Sequence, residues 1–88
     1  MFDWDRGNIG KNLKHNVHDW EIEEIFNDPL MKAKSLGIIN GEERIEVLGR
    51  VQTNGRYLRV VFTPRRGFIR PISAKDMNRQ ERRRYLRK

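Results

Sequence analysis

The sequence predicts an α+β fold in which two N-terminal helices precede an antiparallel β-sheet and one basic helix follows it. Three observations carry this reading. Apolar residues recur at helical spacing only in the first third of the chain, and runs alternating with a period of two occupy the middle. Turn residues separate those runs, and from Ser73 onward a charged stretch without Pro or Gly closes the chain. With 88 residues, the chain fits a single compact domain spanning 1–88, with a small core.

The elements follow in order. Phe2, Asp3 and Trp4 form an extended start, and Asp5 is placed to cap a first helix over 6–15. On that helix Ile9 and Leu13 share one face, while Asn8, Lys11, Asn12 and His15 form an adjacent polar stripe. A second helix over 19–27 opens with acidic residues that suit its positive end and repeats Ile22, Ile25 and Phe26 at core spacing; Asp28-Pro29 ends it. Residues 30–35 read as a strand, followed by a loop through Gly37 and Asn40-Gly41. Strands over 43–51 and 56–63 flank Thr53-Asn54-Gly55, whose Asn-Gly pair is a strong hairpin signal. Leu58, Val60 and Phe62 then share an apolar face opposite a mixed one of Tyr57, Arg59, Val61 and Thr63. The segment 64–67 turns into a strand over 68–72. Ser73 and Asp76 have capping-box spacing, opening a last helix that runs to about residue 87.

Composition narrows the chemistry. The absence of cysteine removes disulfides and thiolate metal sites and suits a reducing cytosol. No apolar run exceeds three residues, so a membrane span or secretory h-region is not expected. Charge is strongly divided. Residues 56–88 carry twelve Lys+Arg against two acidic residues, net +10, whereas residues 1–55 carry seven against ten, net −3, together giving the +7 of the chain. A basic end of this kind points to a polyanionic partner.

Candidate site residues follow from that charge. Arg79, Arg82, Arg83, Arg84, Arg87 and Lys88 on the last helix could track a phosphate backbone, or form a solvated helix end. Arg65, Arg66 and Arg70 lie at and after a turn, where a sheet edge could aim several guanidinium groups at one phosphate. His15 with Lys11 fits either a helix-end dipole partner or, in RNA cleavage, a proton shuttle beside a charge stabiliser. Tyr85 could stack on a base, or with Glu81 could fix the last helix to the sheet. The acidic stretch from Asp19 to Asp28 lacks metal-ligand spacing and reads as a solubilising helix face.

One ordered set of short motifs runs nearly end to end: Phe2-x-Trp4-Asp5, Lys14-His15-x-Val17, Phe26-x-Asp28-Pro29, the neighbourhood of Glu43 and Arg44, Thr63-x-Arg65, Arg70-x-Ile72-Ser73-Ala74-Lys75 and Glu81-x-x-x-Tyr85. In this the chain resembles the BrnT family of bacterial toxins. The resemblance implies a RelE-like compact domain acting as a ribonuclease without a cofactor, halting translation in the cytoplasm. It also implies a BrnA-like antitoxin with a ribbon-helix-helix part, forming a hetero-oligomer that reaches operator DNA through the antitoxin and represses its own operon. By position, Lys11, Lys14 and His15 fall in the family's first motif, and Thr63, Arg65, Arg70, Ser73, Lys75, Glu81 and Tyr85 in its last. Taken with the charge of the last helix, the resemblance leads to these expected roles: phosphate binding by Arg65 and Arg70, proton transfer by His15 or Lys11, and RNA binding by Lys14, Lys75, Arg79, Arg82, Arg83 and Tyr85. Lys75 stands where the family commonly has arginine, Arg6 where proline is frequent, and Asn8 where a lysine can sit. A three-residue shift keeps nearly the same helix face, so Lys11 can substitute for the last of these. The other readings are a basic module that grips nucleic acid without cutting it and a degenerate toxin that serves as co-repressor.

Overall fold

The computed structural model describes residues 1–87, leaving the expected helix residue Lys88 outside the described part. Four strands form one antiparallel sheet in sequence order: β1 Lys32–Ile39, β2 Glu42–Arg50, β3 Tyr57–Arg65 and β4 Phe68–Asp76. Helix α1, Asp19–Ile25, packs on one face, and α2, Arg79–Leu86, follows the sheet. The α+β class and the basic C-terminal helix are as the pattern predicts.

The N-terminal segment differs. Only one α-helix precedes the sheet, because residues 6–10 are turns and Lys11–His15 is a single stretch of 3₁₀ helix. Gly10 and Asn16 bound it in left-handed conformations, with φ of 63° and 59°. The expected faces are also exchanged. Asn8 and Asn12 are buried, whereas Ile9 and Leu13 are exposed. The asparagines act as backbone mimics along the outer edge of β4, where Asn8 Nδ2 donates to Pro71 O at 3.1 Å and Asn12 Oδ1 accepts from Ala74 N at 3.0 Å. Phe2 pairs in parallel with Ile69 farther along the same strand. This covers an edge that would otherwise present unpaired backbone groups. At the opposite side of the sheet, β1 is exposed throughout.

The core lies between α1 and the sheet: Val17, Ile22 and Ile25 meet Val47, Val51, Leu58, Val60 and Ala74. Gly49 is required there, since a Cβ at that position would stand 2.9 Å from Ile25 Cβ. Residues of the alternate parity in β2 and β3 face α2. Tyr57 meets Tyr85 edge to face at 5.7 Å, and Arg84 pairs with Glu46. Asp28 ties three elements together by accepting from Leu30 N, Arg50 N and the Tyr85 hydroxyl.

Several boundaries move for identifiable reasons. The expected loop through Gly37 is a bulge within β1, with a register shift between Ser35 and Gly37. Asn40 and Gly41, at φ 52° and 82°, then make a tight turn into β2. Strands β2 and β3 pair antiparallel as expected, although residues 51–56 form a longer loop than the Asn-Gly signal suggests. Ser73 does not cap a helix. It pairs with Val61 inside β4, which continues to Asp76 opposite Leu58. The capping box that opens α2 is Asn78 with Glu81, each side chain accepting from the other's backbone N–H.

Candidate functional site

Arginine at the tip and flank of a hairpin is held by backbone geometry, and here that geometry gathers charge. The β3–β4 turn passes through Arg66 and Gly67, both left-handed, setting Arg65 at the end of β3 close before β4 begins. A bulge between Val61 and Phe62 shifts the register so that Arg70 lies opposite Thr63. The covering N-terminal segment brings Lys11 to the same place. The result is a pocket of about 200 Å³ whose lining includes Lys11, Glu42, Arg44, Thr63, Arg65 and Arg70.

Charge pairing in the pocket is specific. Asp5 holds Arg70 in a bidentate pair at 2.9 and 3.0 Å, and Asp3 stands 3.5 Å from the same guanidinium. Arg65 Nη2 donates to Glu42 Oε2 at 2.7 Å. The Arg70 hydrogen bond, aided by the Gly7 backbone N–H, holds the Asp5 carboxyl below the usual range. The Arg65 hydrogen bond outweighs burial to do the same for Glu42, and the charges of Arg44 and Arg70 act in the same direction. Thr63, only 1% exposed, has a buried hydroxyl oxygen without a hydrogen-bond partner, and Arg44 Nε is likewise buried and unpaired. Among the described residues Lys11 has no ion-pair partner. Two orphaned polar groups and an unpaired ammonium beside two guanidiniums form a cradle for an anion.

Of the residues expected to act, Lys11, Arg65 and Arg70 converge on this pocket. His15 does not line it. An i, i+4 pair lies together on an α-helix, but the 3₁₀ segment turns three residues per revolution and separates Lys11 from His15. Lys14 is exposed on the same segment.

The C-terminal residues distribute differently. Lys75 is bonded to Glu81 at 2.9 Å, and the Arg82 guanidinium lies 4.0 Å above the centre of the Tyr57 ring. Arg79 and Arg83 are exposed on α2. Tyr85 is buried, its hydroxyl donating to Asp28 Oδ2 at 2.5 Å, so its ring is closed to base stacking; it anchors α2. Burial and the Asp28 carboxylate push that phenol well above its ordinary value.

The sequence places Arg44 and Thr63 within motifs but gives neither a role. The available signal was their alternation within adjacent strands, which places both on the mixed face that also carries Glu46 and Arg59. The acidic stretch was also more than a solubilising surface. Glu21 is buried and bonded to Arg56 and Asn54. Among the described residues no group of three His, Cys, Asp or Glu side chains could hold a metal ion, and no helix is long and apolar enough to cross a membrane. No curated protein sequence matches the chain. A family model described as the ribonuclease toxin, BrnT, of type II toxin-antitoxin systems matches residues 4–81.

Proposed function

Because the chain belongs to the BrnT family of ribonuclease toxins of type II toxin-antitoxin systems, we propose that the cradle of Lys11, Arg44, Thr63, Arg65 and Arg70 binds the scissile phosphate of RNA and stabilises its transition state. The observation that carries this reading is the pair of buried, unpartnered groups, Thr63 Oγ1 and Arg44 Nε, set among the cations of one pocket. The reaction is attack by the adjacent 2′-oxygen on phosphorus. A bond forms from that oxygen, the bond to the 5′-oxygen breaks, and a 2′,3′-cyclic phosphate and a 5′-hydroxyl result. RNA carries its own nucleophile, so the protein supplies charge and proton transfer. Glu42, which lines the pocket with Lys11, accepts the 2′-hydroxyl proton, and the Lys11 ammonium protonates the leaving 5′-oxygen. Arg65 holds Glu42 anionic and hence a weak base. Stabilisation of the charged phosphorane therefore carries most of the rate. The cations fill the role a metal would take, making the reaction metal-independent.

The wider reading is a RelE-like toxin domain spanning 1–88 that arrests translation in the cytoplasm. Its BrnA-like ribbon-helix-helix antitoxin covers it in a hetero-oligomer and carries the pair to operator DNA, where both repress their operon. The open edge of β1, with Leu36, Ile38 and Ile39 exposed, supports a protein partner. Exposed Lys14, Arg79 and Arg83 support a wider RNA contact beyond the cradle.

The test is incubation of purified protein with RNA in EDTA. The expected outcome is cyclic-phosphate ends, a fall in rate of about 10²–10³-fold for Arg44→Ala, and little change for His15→Ala. Intact RNA at high protein concentration would overturn the enzyme reading. A second reading, a co-repressor that no longer cuts, is favoured by the engagement of Arg65 and Arg70 with the chain's own carboxylates. Intact RNA together with operator binding by the antitoxin complex would establish it.

A further inference from the structure

Beside the phosphate cradle, and sharing Arg65 with it, lies a second pocket of about 300 Å³ lined by Phe2, Asp3, Trp4, Arg65, Arg66 and Phe68. We propose that this pocket receives an unpaired nucleobase of single-stranded RNA next to the phosphate held in the cradle. The inference rests on the reading of the cradle as an RNA site and names the form of RNA it takes.

The pocket is made of aromatic side chains fixed from behind. The Phe2 ring meets Phe26 edge to face at 5.3 Å, and Trp4 Nε1 donates to Glu23 Oε2 at 2.7 Å. The backbone of the same segment is tied to the hairpin, with Asp3 N donating to Ile69 O at 2.8 Å and Ile69 N to Met1 O at 2.7 Å. Rings held in this way offer surface to a base without losing side-chain freedom when it arrives. Phe68 opens the other side. It is 47% exposed at the first position of β4, immediately after the Arg66-Gly67 turn that sets Arg65 and Arg66 beside it.

Aromatic rings interleaved with arginine suit single strands, because every base offers a π-face and guanidinium planes stack as rings do. A duplex keeps its bases stacked on one another and cannot offer one to the pocket. Charge complementarity gives the same occupant. Two arginines stand against one carboxylate, and Asp3 is already turned toward Arg70 at 3.5 Å. A purely apolar protein anchor would gain nothing from that rim, whereas a nucleotide brings phosphate with its base. Because Arg65 lines both pockets, a base seated here stands beside a guanidinium that also lines the cradle.

The test uses the full chain with Trp20→Phe, which leaves Trp4 as the only tryptophan. It is titrated with a single-stranded 2′-O-methyl oligonucleotide that cannot be cleaved, with a duplex of the same sequence, and with versions carrying one abasic residue. The expected result is a change in Trp4 emission on binding the single strand, with weaker binding of the duplex. Phe68→Ala should weaken single-strand binding about 5- to 100-fold, Phe68→Tyr should restore it, and the abasic residue at one position should abolish the difference. Equal binding by Phe68→Ala, or binding without a Trp4 response, overturns the proposal. So does a Phe68→Ala variant that loses antitoxin affinity while keeping RNA affinity, since the pocket would then be a protein anchor. Cleavage of unmodified RNA is measured separately: Phe68-dependent binding without cleavage removes the ribonuclease reading and leaves this subsite standing.

Discussion

The arginines of the β3–β4 hairpin and those of α2 belong to one basic stretch in the sequence, yet they are held in opposite ways. Beneath α2, Arg59 and Arg84 converge on Glu46, and Arg59 also reaches Glu81; the two carboxylate side chains are 5% and 11% exposed. In the pocket, Arg70 pairs with Asp5 and Arg65 with Glu42, whose side chains are 56% and 36% exposed. A buried carboxylate cannot leave its arginine without stranding a charge, whereas an exposed one exchanges with water or with an arriving anion at little cost. The ion pairs under α2 are therefore locked on the carboxylate side, whereas those of the pocket have carboxylates open to solvent. Charge density alone does not separate the two regions; the burial of the counter-charge does.

The largest way to sharpen this contrast is Glu46→Gln. It leaves Arg59 and Arg84 without their shared carboxylate, and because both arginines still reach water the cost should be about 2–3 kcal/mol. Thermal unfolding monitored by circular dichroism should shift down by about 10–20 °C, with cleavage intact at low temperature. The pH dependence has the same source. Burial pushes Glu21, Glu46 and Glu81 up, but their hydrogen bonds overcome it and hold all three below the ordinary glutamate value of 4.5. The unfolded chain thus binds more protons in that range. Their contribution is complete above about pH 5 and is lost as pH falls through the folded values, so melts taken from pH ~6 to pH ~3 should show a steep decline.

A smaller and more discriminating effect is expected from Thr63→Val. It removes a buried hydroxyl that has no partner, so stability should stay level or rise, while cleavage falls about tenfold if the hydroxyl contacts the bound phosphate. Loss of both together would mean that Thr63 is only structural. Smallest is Arg83→Ala on α2, which should reduce the salt dependence of RNA binding by about one in slope and leave turnover unchanged.

Much of the sheet was legible because its strands alternate cleanly, as Leu58, Val60 and Phe62 do, and because Asn40-Gly41 and residues 64–67 carry turn chemistry. Ser73 misled because capping-box spacing is local, while the pairing of Arg59 with Lys75 and Leu58 with Asp76 extends β4 through it. The same box recurs at Asn78 and Glu81, beyond the end of the sheet, and there it forms. Asn8 and Asn12 looked like a wet stripe; nothing local shows that an amide side chain will complete the edge of a strand some sixty residues away. The divided charge invited a polyanion, yet much of it is met internally, as in Arg56 with Glu21 and Arg84 with Glu46. Three of the four expected catalytic residues reach one pocket, and His15 misses it because the helix that would have carried it is 3₁₀.

The most direct test compares turnover at saturating RNA for two double variants, Lys11→Ala with Arg44→Ala in the pocket and Arg79→Ala with Arg83→Ala on the helix. The pocket pair should lose at least about 100-fold in kcat while keeping its melting temperature, and the helix pair should keep kcat and raise KM. A helix pair that loses turnover while the pocket pair retains it would contradict the assignment of the site.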